Sequence, residues 1–346
     1  MNTVYVNLPL PGLEPDLERR LVAAICSEAE MAGVKQSTTI LYLDGGDTAA
    51  LSVRQLALLG SALLAPVEGR DALEWTVTAT ADSLTPNRIE ALLTMGVTRL
   101  CIPVDAGDCQ IGVETVFIAR EAGFERVAVD LFADLEAIPV DVWGRALERV
   151  EEAGAGHIST YDTGEHSGDN EPALLRLEAA DAFLHEAGYS RYELWSYALP
   201  GHACAYTVAC WKCRSYVGLG PGAASHDGRA RWSNTEDVDA YCRALEGGGL
   251  PPREVESFTP ELKASDMILC GLNLAEGIHL PSVHSEVERV FQTLEKPGSN
   301  FSKHWKTLES TFAQLADEGF VVEEDHHWRL THRGRYMADY VGRAFV

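Results

Sequence analysis

Six short apolar stretches recur through the first half of the chain, each followed by a helical pattern, and this repeat restricts the fold more than any other feature. Apolar residues with period two or in short continuous runs predict strands over 4–8, 39–43, 74–79, 99–104, 126–132 and 157–161. Apolar residues at helical spacing predict helices over 14–31, 53–64, 86–95, 112–122, 141–153 and 172–188, with Ser52 as a cap and Gly33, Gly96 and Gly123 as stops. Strands separated by helical crossovers pair in parallel. No G-x-G-x-x-G follows the first strand, so a dinucleotide-binding sheet is disfavoured and an α/β fold built on an incomplete (β/α)6 barrel is expected. Its chemistry would sit where strands end, at Pro9, Asp44 to Asp47, Thr78 to Ala81, Asp105, Asp130 and Tyr161.

The second half begins with a stretch dense in aromatic and sulfur side chains, Gly188 to His226. Alternation over 191–197 predicts one aromatic strand, Pro200-Gly201 breaks it, and the glycines of 217–222 predict a turn region. Between the breaks lie His202, Cys204, Cys210, Trp211 and Cys213. Cys204, Cys210 and Cys213, with His202 and His226 nearby, could assemble a metal site; the competing reading is buried thiols packed on Trp211. Beyond this, helices are predicted over 234–245, 260–276, 304–318 and 331–343, a linker over 247–252, and a hairpin over 320–324 and 327–330. Three regions follow: a partial barrel over 1–165, an aromatic and glycine-rich extension over 166–250, and a helical, winged-helix-like domain over 251–346.

Charge narrows the function. With 52 acidic residues against 28 Lys and Arg, the net charge is −24, a surface that repels phosphate backbones and anionic membranes. Nucleic acid is therefore a poor partner despite the winged-helix outline, which fits a docking or lid module better. No signal-like start and no run of eighteen apolar residues occurs, so a cytoplasmic protein without membrane insertion is expected. In such a compartment the eight cysteines are expected to be buried, catalytic or metal-binding rather than paired.

Several local motifs carry a more specific signal: His157-Ile158-Ser159-Thr160-Tyr161, Ala119 to Phe124, Gly188-Tyr189 with Tyr192-Glu193, Trp211, Gly218 to Ala223, Arg231 and Asn234. In these the chain resembles HemW-type haem chaperones and the related oxygen-independent coproporphyrinogen III oxidases of the radical S-adenosylmethionine (SAM) superfamily, over nearly its whole length. The resemblance implies a partial barrel, a cofactor pocket, a C-terminal helical domain, a [4Fe–4S] cluster, SAM, and haem or a related tetrapyrrole passed to an acceptor protein. It also exposes departures. The family's C-x3-C-x2-C falls here on Pro11, Pro15 and Glu18, so no thiolate is available to the cluster irons, and both cluster and SAM are expected to be lost. The family's Gly-Gly-Gly-Thr-Pro stands as Asp44-Gly45-Gly46-Asp47-Thr48; Gly45, Gly46 and Asp130 are the expected remnant of the SAM pocket. Where the family has His-Asn-x-x-Tyr-Trp, this chain has Tyr206-Thr207-Val208-Ala209-Cys210-Trp211, and Tyr206, Cys210 and Trp211 are the candidate haem wall. The resemblance thus points to a tetrapyrrole-binding chaperone or regulator without radical SAM chemistry. The alternatives are an enzyme using Asp44, Asp47, Asp105 and Asp130 or a cysteine-bound metal, and a pseudoenzyme that only docks partners.

Overall fold

The alternation read from the sequence produces a sheet with helices packed on it. A computed structural model describes residues 2–65, 73–164, 171–291 and 300–345. Along the first half run β1 (Asn2–Asn7), α1 (Pro15–Ala32), β2 (Thr38–Asp44), α2 (Val53–Leu63), β3 (Glu74–Thr78), α3 (Pro86–Met95) and β4 (Arg99–Asp105). The series continues with α4 (Gln110–Glu121), β5 (Arg126–Ala133), α5 (Val140–Glu152), β6 (His157–Asp162) and α6 (Glu171–Glu186). Local chemistry sets the ends. Ser52 and Gln55 form a reciprocal capping box at the start of α2, and Thr85 caps α3 with Pro86 in its first turn. Gly33 and Gly96 close α1 and α3 with left-handed backbones.

The middle of the chain adds β7 (Ser190–Arg191), β8 (Ser196–Ala198), α7 (Ala205–Trp211), β9 (Tyr216–Leu219), β10 (Ala224–His226), β11 (Ala230–Asn234), α8 (Val238–Glu246) and β12 (Arg253–Ser257). All twelve strands join one sheet, in the order β12-β11-β10-β9-β1-β2-β3-β4-β5-β6-β8-β7. Strands β9 and β1 to β6 are mutually parallel, and the flanking strands on both sides are antiparallel. The parallel set is thus one strand larger than the six predicted, because β9 pairs with the outer side of β1, Val4 opposite Val217.

Three expectations change. The aromatic stretch is not one strand: Glu193 leaves the sheet to bridge Leu274, and β7 and β8 pair back on each other. The glycine-rich exit is the β9–β10 hairpin rather than a plain turn, because Gly218 lets the returning chain approach closely; a Cβ there would meet the backbone of Ala223 and Ala224. Residues 253–257, expected to open the C-terminal helical domain, instead form the sheet's edge strand β12 on β11. The boundary expected at 165/166 lies outside the described residues.

The remainder comprises α9 (Pro260–Leu272), α10 (Leu280–Phe291), α11 (Asn300–Asp317), β13 (Val321–Glu324), β14 (His327–Leu330), α12 (His332–Tyr336) and α13 (Ala338–Arg343). Helix α10 was not predicted, and the expected final helix breaks at Met337. Ile268, Val283, Leu308, Phe312 and Phe345 belong to a core separate from the one beneath the sheet. In the sheet, alternate residues such as Val6, Leu43, Val77, Ile102, Val129 and Ile158 are buried in the main core with residues of the helices. The pleat turns the intervening residues to the opposite face, where α7 packs.

Candidate functional site on the inner face of the sheet

Polar and aromatic side chains occupy the face that the pleat turns away from the main core. Tyr5 stands opposite Tyr42, Thr78 opposite Cys101, Asp130 opposite Ser159, and Ser159 opposite Ser196. The thiol of Cys101 lies 3.2 Å from Asp130 Oδ2, and Ser159 Oγ is 2.9 Å from Ser196 Oγ. Burial pushes the Asp130 carboxyl up, and hydrogen bonds from Cys101 and Ser159 with the charge of Arg99 only partly offset it. Burial also raises Asp44, against the Gly45 N–H, and the charge of Asp130 adds to the rise. Glu193 is raised by burial in the same way, although Ser196 and the Trp195 N–H bond to it. Asp44 and Asp130 thus form a mutually repelling pair biased toward protonation, and Glu193 is biased the same way.

Helix α7 lies across this face. Tyr206 stacks on Tyr5 with ring centroids 5.3 Å apart, meets Tyr42 at 5.0 Å and presents an edge to Tyr216. One turn later, Cys210 hydrogen-bonds Tyr206, and burial raises its thiol to about 12. Phe132 and Tyr161 stack at 5.3 Å where β5 and β6 end, and Tyr161 is 36% exposed, so an aromatic surface reaches solvent there.

At the opposite ends of the strands a second polar layer closes the face. Arg126 pairs with Glu74 at 2.8 Å, Glu74 accepts the Ala205 N–H, and His157 Nε2 meets Tyr192 OH at 2.8 Å. Burial, then the charges of Arg99, His202 and Arg126, hold His157 well below the ordinary histidine range. These groups anchor the start of α7.

Comparison with known proteins gives this arrangement distant relatives. Over 377 aligned positions the chain is 26% identical to the haem chaperone HemW of Mycobacterium tuberculosis, covering 99% of this chain and 89% of that protein. Against HemW of Bacillus subtilis the identity is 23%, covering 88% and 85%. The mitochondrial radical S-adenosyl methionine domain-containing protein 1 of Bos taurus is 23% identical, covering 94% and 79%. The solved coproporphyrinogen III oxidase HemN of Escherichia coli superposes with a TM-score of 0.76 at 17% identity, covering 99% of this chain and 89% of that one. The chain is a distant homologue of the HemW/HemN-like radical SAM proteins. No family model matches it.

In this HemW-like chain the predicted residues fall into different roles. Gly45 and Gly46, both at positive φ, are covered by the segment after β1: a Cβ on Gly45 would stand 2.6 Å from Leu8 N, and one on Gly46 3.0 Å from Pro11 Cδ. Of the four strand-end acids, Asp130 acts on Asp44 through its charge. Asp47 accepts from Thr80 N, Thr80 Oγ1 and Ser83 Oγ at 3.2, 2.7 and 2.6 Å, so it ties down the segment after β3. Asp105 accepts the Gly107 and Asp108 N–H groups in a turn. The three cysteines expected as one metal set diverge: Cys204 turns to Glu74, Cys210 to Tyr206, and Cys213 to Asp266. Among the described residues, donors within 4.8 Å of one another are Cys213, Asp266 and Cys270.

Cys101 and Arg99 were not singled out from sequence, and Glu193 was named only as part of a motif, without a role. A signal existed, since parallel strands covered on both faces read as apolar runs, and polar residues at alternate positions of β3 to β6 depart from that. No helix among the described residues is long and apolar enough to cross a membrane.

Proposed function

We propose that this HemW-like protein binds haem or a related tetrapyrrole as cargo and carries out no radical SAM chemistry. The observation that carries the proposal is the segment after β1. Leu8 to Pro15 contains no cysteine, and it folds back on itself through Leu10 N to Leu8 O at 2.7 Å and Leu13 N to Leu10 O at 3.1 Å. The same segment covers Gly45 and Gly46. A [4Fe–4S] cluster needs thiolates at that strand end, and the carboxylate at the methionine end of SAM needs room and a lining that does not repel it. Asp44 and Asp47 flank the glycines instead. The residues present do not fit either group, and no step is assigned to them.

Cargo binding is supported by relatives named haem chaperones along nearly the full chain. It is also supported by aromatic surfaces suited to a flat macrocycle: Tyr206 and Trp211 on α7, and the Phe132–Tyr161 pair. Tyr206 and Cys210 are the axial donors we assign. Burial keeps both protonated at neutral pH, so iron must displace the proton on binding. Passage of the cargo to an acceptor protein completes the proposed role.

Two measurements test this. Anaerobic reconstitution with iron and sulfide is expected to yield no stoichiometric cluster; one that persists when Cys204, Cys210 and Cys213 are all replaced by Ser refutes the first half. Haemin titration is expected to shift the Soret band in the parent and differently in Cys210→Ala, Tyr206→Phe and the double variant. Equal spectra and affinities in all four refute the ligand assignment, and an unshifted parent refutes haem binding.

A second reading, an enzyme whose strand-end carboxylates do acid–base work with a bound divalent cation, has the half-buried Asp44–Asp130 pair in its favour. Under it a divalent cation should bind the parent and be lost in Asp130→Asn; no difference between the two removes it.

A further inference from the structure

Helix α9 presents Lys263, Asp266 and Cys270 along one side, at spacings of three and four residues. Opposite this side stands Cys213, just beyond α7. Its sulfur lies 3.8 Å from Asp266 Oδ2 and hydrogen-bonds Cys270, and donor atoms of the three residues all fall within 4.8 Å of one another. We propose that Cys213, Cys270 and Asp266 bind a zinc-class divalent metal ion, leaving one coordination position open to water or a small anion.

Donor chemistry is the first support. Two thiolates and a carboxylate form a borderline-soft set of the kind zinc takes, and three protein ligands with one open position is the pattern of reactive rather than purely structural sites. The carboxylate is already oriented: Arg231 Nη1 holds Asp266 Oδ1 at 3.1 Å, which leaves Oδ2 directed at the thiols. An outer partner that fixes a ligating group in this way is a regular feature of metal centres.

The backbone is the second support. Helix α7 ends with Cys213 N donating to Cys210 O at 2.9 Å and Arg214 N to Ala209 O at 3.0 Å, a closure that requires a left-handed residue. Glycine is usual there, yet this position is Cys213 at φ 48°. A side chain in that region is disfavoured because its Cβ crowds the neighbouring carbonyl. The turn thereby presents a thiol to α9 where glycine would have closed the helix without strain.

Surroundings are the third. Lys263 is buried, its ammonium 3.0 Å from His226 Nε2 and 5.0 Å from the Phe258 ring centroid. A cavity of about 730 Å³ opens beside the group, lined by Lys212, Cys213, Arg214, Arg229, Lys263 and Arg289 among others. Asp227 and Glu286 also line it, but the cations outnumber them, which suits an anion approaching the open position. None of this depends on the inner-face site, so the inference stands or falls apart from tetrapyrrole binding.

The test uses the full chain, reduced and stripped with a chelator, then titrated with Co²⁺ as a spectroscopic stand-in for zinc. One equivalent should bind with a thiolate-to-cobalt charge-transfer band. Cys213→Ser and Cys270→Ser should each lose the band, Asp266→Asn should weaken affinity tenfold or more, and Cys204→Ser and Cys210→Ser should keep it. Should a variant fail to fold, alkylation of the parent followed by mass spectrometry serves instead: Zn²⁺ should protect Cys213 and Cys270 and leave labelling of Cys26 unchanged. Absence of the band in the parent, its survival without Cys213 or Cys270, or equal labelling with and without zinc overturns the proposal.

Discussion

Asp181→Asn is expected to uncouple the C-terminal helices from the sheet. Asp181 lies on α6, and Arg335, on α12, donates to both of its oxygens at 2.9 and 2.8 Å. Tyr197 donates to the same carboxylate, and Arg191 and His332 stand 3.9 and 3.5 Å away. Burial alone would raise the Asp181 carboxyl, but the hydrogen bonds and charge of Arg335, with Tyr197 and Arg191, more than offset it and the net shift is downward. The two partners are unequally enclosed, the side chain of Arg335 being 3% exposed and that of Asp181 20%. Removing one member of a buried pair costs about 3–5 kcal/mol because the other is left uncompensated. Asp181→Asn strands the enclosed guanidinium and should cost about 3 kcal/mol. Arg335→Met leaves a carboxylate that keeps water, Arg191 and Tyr197, and should cost less, about 1–2 kcal/mol. Urea unfolding followed by tryptophan fluorescence measures both. As the folded carboxyl sits below the unfolded value of about 3.9, the contribution is complete above that value and is lost as pH falls through the depressed one. A loss under about 0.5 kcal/mol for Asp181→Asn, or a greater loss for Arg335→Met, refutes the asymmetry.

Three further outcomes are expected. Glu28 is fully buried and accepts from Gly220 N, Asn234 Nδ2, Tyr241 OH and Arg253 Nη2 at 2.6–3.0 Å, so Glu28→Ala should cost about 3–5 kcal/mol in chemical denaturation; a change under 1 kcal/mol speaks against the network. The raised Asp130 carboxyl means folding is opposed by its ionisation above the ordinary carboxylate value, so Asp130→Asn should be more stable than the parent at pH 7, with the difference shrinking as pH approaches 4; a pH-independent difference refutes this. Self-repulsion at net charge −24 should make the thermal midpoint rise with sodium chloride toward 0.1 M, where the Debye length is ~10 Å, and a flat or falling series rejects it.

The first half of this protein was legible in its residues. Parallel strands and their crossover helices are specified by local periodicity, and their ends by groups a few residues apart, as with Ser52 and Gln55 or Thr85 and Pro86. The sequence also displayed the departures around Pro11, Pro15 and Glu18 and the donors on α7, since composition at a position needs no coordinates. Which residues meet depends on how distant segments pack. Glycines that loosen 217–222 read as a turn, yet Val217 pairs with Val4 because strand pairing is fixed by backbone bonds to a partner more than 200 residues away. Cys101 became a partner of Asp130 only through the register of β4 against β5. Cys213 looked like the third of a local cysteine group, but helix α7 sends Cys204 and Cys210 to the sheet and its left-handed end sends Cys213 to α9. Spacing along the chain constrains donors on one helix; it says nothing about donors brought together by docking a second.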